Sequence, residues 1–184
     1  AGKGLTDKRL AFVCEAAQAV KKENLGLILI ACNGTASVEQ LETLKEAGVD
    51  AYNHNLETAQ DFYKEIVTTH TWEERYETCK NVKEVGLRLI CGGIFGLGET
   101  QEQRVSMLES IASLEPMNVP LTFFHPNEAL PLVENSVSKE EAFELITLAR
   151  KMVPNALYCL EEDCFHADTT GSPGCFPVFW AGGS

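Results

Sequence analysis

At four places where an apolar-periodic stretch begins, a hydroxyl residue is followed three positions later by Glu or Gln: Ser37-Val-Glu-Gln40, Thr71-Trp-Glu-Glu74, Thr100-Gln-Glu-Gln103 and Ser138-Lys-Glu-Glu141. In each quartet the hydroxyl can accept the orphan amide at the third helical position, and the Glu or Gln can return a bond to the cap's own amide. Each therefore marks a helix start. The helix opened by Ser37 stops at Gly48, which tolerates the left-handed backbone that closes a helix, and the one opened by Thr71 stops at Gly86. With a first helix over residues 6–22, apolar segments at 27–31, 49–53, 87–91, 119–124 and 156–160 fall between or after the helices and read as strands.

Five strands, each apolar on both faces and separated by helices, imply a parallel sheet covered by helices. Alternation alone does not separate a barrel from a doubly wound sheet. A complete (β/α)8 barrel takes about 250 residues, so the 184 residues here supply about five of its eight units. The expected fold is α/β, a partial TIM-type barrel over residues 1–160. Residues 161–184, with no period, two prolines and four glycines, read as an irregular tail.

The formal net charge of −12 argues against nucleic acid or an anionic membrane as a partner, since no basic stripe offsets it. The longest uncharged apolar run, residues 25–32, is too short to span a bilayer. A cytoplasmic location is the default expectation. Seven scattered cysteines, an odd number, fit a reducing compartment better than a disulfide framework. No CxxC, CxxxCxxC or HxxxH spacing occurs, so any metal would have to be gathered from distant strands.

Residues 53–57, Asn-His-Asn-Leu-Glu, place two amides, an imidazole and a carboxylate at a strand end, where α/β barrels present polar groups to small molecules. The competing reading is a strand-to-helix turn. On an extended strand Asn53, Asn55 and Glu57 point one way and His54 the other, which makes His54 the structural member. The run Gly92-Gly-Ile-Phe-Gly-Leu-Gly-Glu99 lacks the GxGxxG spacing and reads as a loop whose glycines allow close backbone approach. Its Glu99 can bind the loop's amides or a ligand amine. Cys32 and Cys91 each end a strand; either alone reads as an inert core thiol, and together they suggest a joint site. Trp72 and the pair Phe123 and Phe124 read as core.

The run from Tyr52 to Thr58, the segment at residues 66–71, Arg75, Thr78 and the Gly92 to Glu99 loop together resemble biotin synthase, a family of radical S-adenosylmethionine (SAM) enzymes. The resemblance covers about residues 2–160. It implies conversion of dethiobiotin to biotin: a [4Fe-4S] cluster reduces SAM to a carbon radical, and an auxiliary [2Fe-2S] cluster supplies the sulfur. By the resemblance, Asn53, Asn55 and Glu57 contact dethiobiotin and the SAM ribose. Gly92, Ile94, Gly96 and Glu99 lie beside the adenine, Cys32 is an auxiliary-cluster ligand, and Cys91 is a second candidate. A homodimer is the assembly considered.

The departures are specific. The CxxxCxxC motif of the family is not among these residues. The family's Cys-Ser-Gly-Gly is Ile90-Cys91-Gly92-Gly93 here, which moves the thiol one residue along the strand and so to its other face. Thr122 stands where many members have a substrate-binding Asn, and the tail is unlike the family. A non-catalytic fragment or pseudo-enzyme that binds a small ligand or a complementary chain is the first alternative. An unrelated barrel enzyme, such as an aldolase or metal hydrolase, is the second.

Overall fold

The computed structural model describes residues 4–124 and 137–160. The chain runs α1 (Asp7–Lys22), β1 (Ile30–Ala31), α2 (Val38–Glu46), β2 (Ala51–Asn53), α3 (Tyr63–Ile66), α4 (Trp72–Glu84), β3 (Arg88–Ile90), β4 (Gly93–Phe95), α5 (Gln101–Ser113), β5 (Asn118–Phe123), α6 (Lys139–Met152) and β6 (Leu157–Leu160). All four expected capping boxes form, at Ser37, Thr71, Thr100 and Ser138, and Thr6 caps α1. The tail, residues 161–184, lies outside the described residues.

Every strand pairing is parallel. Among the described residues six strand segments make the sheet, yet β3 and β4 behave as one bent strand. Ile90 pairs with Asn118 and Gly93 with Leu121, so the register against β5 runs unbroken across the two residues between them. The sheet order is thus β1, β2, β3 with β4, β5 and β6, five barrel strands as the sequence led us to expect. The correction concerns the glycine-rich stretch, whose first half is a strand rather than a loop. A Cβ at Gly93 would lie 2.5 Å from Met107 Sδ on α5, so this glycine lets a helix pack closely on the sheet.

Strand alternation sorts the side chains onto two faces. Along β5, Val119, Leu121 and Phe123 are buried, while Asn118, Pro120 and Thr122 are half-buried. The buried set, continued by Tyr52 and Leu89, packs against Leu41 and Leu44 of α2, Val82 of α4, Leu108 and Ile111 of α5 and Leu145 of α6. Each such fully buried side chain contributes about 1.5–3 kcal/mol. The other face, which would line a barrel's interior, carries Ile30, Ile90, Asn118, Pro120, Thr122 and Leu157 by register. Strand β1 is shorter than its apolar run, and among the described residues it pairs only with β2. Leu27, Ile28 and Ile30 are accordingly more than half exposed.

Candidate functional site at the strand ends

The polar run after β2 stays paired instead of turning away. His54 N donates to Ile90 O, Leu56 N to Gly92 O and Ile94 N to Glu57 O, so residues 54–57 continue the sheet edge along β3 and β4. Glu57, with φ of 70°, absorbs the one extra residue that this path has over its partner. Burial alternates along the run: His54 and Leu56 are buried, Asn53, Asn55 and Glu57 half-buried. Asn55 Oδ1 accepts from Gly92 N at 3.1 Å and locks the two strand ends together.

Arg75, brought in from the first turn of α4, organises the outside of this edge. Its Nη1 donates to Asn55 O at 2.8 Å and lies 3.1 Å from Glu57 Oε1; its Nε lies 2.8 Å from Tyr63 Oη and 2.9 Å from His70 Nε2. An acceptor at Nε2 requires the proton of neutral His70 on Nδ1, where Thr69 Oγ1 sits at 2.8 Å. Burial and the Arg75 charge lower the His70 pKa, which keeps that tautomer neutral. The sequence pointed to Arg75 only through the resemblance, since its partners come from three separate segments.

Glu99 is spent within its own loop. Its carboxylate accepts from Gly96 N and Leu97 N, both at 2.7 Å, and from Arg104 Nε at 2.8 Å. Of the two expectations, binding the loop's amides is the one the structure contains. Arg104 continues to Glu141 of α6 at 3.2 Å, tying the loop to the next unit. Gly96 has φ of +91°, and a Cβ there would meet Val137 at 2.8 Å. Ile94 pairs with Thr122 and shares its face.

The two candidate cluster cysteines are not brought together. Cys32 is exposed, one residue beyond β1 and of Ile30's parity. Cys91 is fully buried on the helix-facing side: its Sγ is 3.9 Å from Cys79 Sγ of α4, and the Cys79 thiol also donates to His54 O at 3.1 Å. Contact with Cys79, together with burial, holds the Cys91 thiol well above its ordinary pKa, whereas a cluster ligand must be a thiolate. Register places Ile90, not Cys91, on the face that Cys32 and Asn53 share. Among the described residues no three His, Cys, Asp or Glu side chains are grouped to hold a metal ion. These residues do not fit an auxiliary cluster held jointly by Cys32 and Cys91.

A parallel sheet with its polar run, glycine edge and stapled loop at the strand ends is the architecture of a radical SAM domain. The radical SAM superfamily matches residues 4–111, more than half of the chain, and the chain belongs to it. Within that superfamily the chain resembles the biotin synthases. It is 64% identical over 157 residues to the biotin synthase of Aliarcobacter butzleri, a match covering 85% of this chain and 56% of that protein. With the biotin synthase of Campylobacter jejuni serotype O:2 the identity is 50%, at the same coverage of both. The chain spans about half the length of the curated relatives it matches. Among solved structures, methylornithine synthase aligns with a TM-score of 0.70 at 25% identity, over 80% of this chain and 44% of that one. The FeFe-hydrogenase maturase HydG from Carboxydothermus hydrogenoformans aligns with 0.71 at 20% identity, over 84% and 39%. These two show the fold. Membership of the superfamily implies SAM and iron–sulfur chemistry. No helix among the described residues is long and apolar enough to cross a membrane.

Proposed function

We propose that this chain forms the SAM- and dethiobiotin-facing part of a biotin synthase-type site for sulfur insertion. The carrying observation is the paired edge of residues 53–57 against residues 90–94, held by Asn55 Oδ1 to Gly92 N and by Arg75. In this reading Asn53 turns its amide to dethiobiotin, and Asn55 and Glu57 border the ribose of SAM. Gly92, Ile94 and Gly96 form the backbone shelf beside the adenine. Glu99 acts as the shelf's internal support, because its carboxylate is already bonded to the loop. SAM, when reduced at an iron–sulfur cluster, supplies a carbon radical that removes hydrogen from a substrate. The residues here bind, orient and hold that site's wall in place.

A non-catalytic, ligand-binding role is the second reading, favoured by Cys91 facing Cys79 instead of Cys32. In biotin synthase terms the cofactors would be SAM, a [4Fe-4S] cluster and a [2Fe-2S] cluster, and the two thiols expected to hold the last, Cys32 and Cys91, do not converge.

Calorimetric titration of the full 184-residue chain with SAM and with dethiobiotin tests the proposal. We expect both to bind and Glu57→Leu to weaken SAM at least tenfold. Failure of the native chain to bind either would overturn the reading. Anaerobic incubation with iron and sulfide, followed by iron quantification, separates the two versions: retained iron favours the enzyme and ligand binding without iron favours the second reading, while no biotin formation is expected of these 184 residues, which lack CxxxCxxC.

A further inference from the structure

On the helix-facing side of the polar edge two thiols meet. Cys79 of α4 and Cys91, just beyond β3, are both fully buried, and their sulfurs lie 3.9 Å apart. Cys79 has a second partner, since its thiol donates to His54 O at 3.1 Å. The ladder between β2 and β3 explains why a donor is needed there. Arg88 N donates to Asp50 O, His54 N to Ile90 O and Leu56 N to Gly92 O, so in a regular parallel ladder His54 O would accept from Gly92 N. Asn55 Oδ1 takes that amide instead, at 3.1 Å. The Cys79 hydrogen thus replaces a main-chain bond, one helical turn beyond Arg75, which holds Asn55 O from the same helix. A buried carbonyl deprived of its donor is destabilised, so the edge depends on this thiol staying reduced.

We propose that Cys79 and Cys91 form a disulfide site, and that its closure releases the polar edge at residues 54–57. The oxidant is a low-molecular-weight disulfide. One cysteine, as thiolate, attacks it to give a mixed disulfide and one small thiol; the other cysteine then attacks the protein sulfur of that mixed disulfide and displaces the second small thiol. Two electrons pass from the cysteine pair to the oxidant, and the two thiol protons leave with the products. An added thiol reverses both steps. The new bond, about 2.05 Å long, draws the sulfurs together by roughly 1.9 Å across the seam between α4 and the sheet. It also consumes the hydrogen that Cys79 lends to His54 O. Neither sulfur reaches the surface, so the oxidant enters only as α4 opens locally, and closure takes minutes to hours. The exposed Cys32 and Cys159 are expected to react first. The inference stands on the sheet edge alone, and only its effect on SAM rests on the function proposed above.

The test incubates the folded full chain with cystamine, quenches in acid, alkylates the remaining thiols and maps the tryptic peptides by mass spectrometry. Cleavage after Arg75, Lys80, Arg88 and Arg104 puts the two cysteines on separate peptides, residues 76–80 and 89–104. The expected product is these two peptides linked, two hydrogens lighter than their sum, and separated again by dithiothreitol. Hydrogen exchange at the Leu56 amide is expected to quicken by about tenfold or more in the oxidised chain, a comparison that needs no variant. Cys79→Ser, whose hydroxyl still donates, should exchange like the reduced chain both before and after cystamine, and Cys79→Ala like the oxidised one. Absence of the linked peptides, or linkage with Leu56 exchange within twofold of the reduced chain, overturns the inference. Titration with SAM separates the two readings: weakening by about fivefold or more on oxidation supports both. A reduced chain that binds no SAM brings down the function proposed above and leaves the disulfide site to be decided by its peptides and its exchange.

Discussion

Arg75 Nη1 stands 3.1 Å from Glu57 Oε1, and the same nitrogen donates to the carbonyl of Asn55. A helix residue thereby fixes the second half of the polar edge, Asn55 and Glu57, through one planar group. The Arg75 side chain is 6% exposed and that of Glu57 25%, so the pair is screened less than a surface ion pair.

Arg75→Met should therefore cost about 3–5 kcal/mol, because it removes a buried guanidinium that bonds Asn55 O, Glu57 Oε1, Tyr63 Oη and His70 Nε2. Arg75→Lys keeps the charge but loses the fork that serves four acceptors at once, and should recover less than half of that stability. Urea denaturation followed by circular dichroism measures both; equal stability of Arg75→Met and native would show that the network is not structural.

Glu99→Leu should destabilise by a similar 3–5 kcal/mol, because Arg104, whose side chain is 8% exposed, loses its buried carboxylate. Glu99→Gln, which can still accept from one amide, should fall in between. Hydrogen exchange at Gly96 and Leu97 is the specific check: their protection should vanish in Glu99→Leu and persist in part in Glu99→Gln.

Acid should weaken the fold through His54. Burial, reinforced by Arg75 and His70, pushes its pKa down to about 3 from an ordinary 6.5. Below pH 6.5 the unfolded chain binds a proton that the folded chain refuses, so this group's contribution is intact above 6.5. It is lost progressively as the pH falls toward 3, by roughly 4–5 kcal/mol in all. Melting temperatures measured between pH 7 and pH 4 should drop less steeply in His54→Leu than in native protein. Parallel slopes would contradict the assignment.

Gly92→Ala should abolish folding. An added Cβ would collide with the carbonyl oxygen of Pro120, a backbone atom that cannot swing aside. Gly26→Ala is the control: its φ is +68° but nothing lies within 4 Å, so only the left-handed backbone is penalised, by about 1 kcal/mol. Soluble yield and denaturant midpoints of the two variants compare them directly.

The helix starts were legible because capping is local: a hydroxyl and a Glu or Gln three residues apart mark one at the head of an apolar-periodic stretch, whereas the same spacing at Thr43 and Glu46 and at Ser106 and Glu109 falls inside α2 and α5. All four quartets became caps. The alternating burial of residues 53–56 was legible from the two-residue repeat of an extended strand, but Glu57 leaves that geometry, with φ of 70°, and its carboxylate meets Arg75 of α4. Residues 93–95 were not, because glycine reads as loop where its use is to admit Met107, a tertiary contact with no local signal. The face of Cys91 could be argued from a one-residue shift, but its partner Cys79 could not. Nor could the Arg75 network, which exists only once strands and helices distant in sequence are laid side by side.

The contact between Gly92 and the Pro120 carbonyl also restricts where this scaffold can diversify. A position that accepts no side chain at all is closed to selection for a new ligand, and Gly93, hemmed in by Met107, is nearly so. Divergence must then work through neighbours whose side chains stand clear of that seam, namely Ile90, Ile94, Asn118 and Thr122. A library varied at those four positions, with the two glycines left untouched, would sample altered specificity while keeping the sheet that presents it.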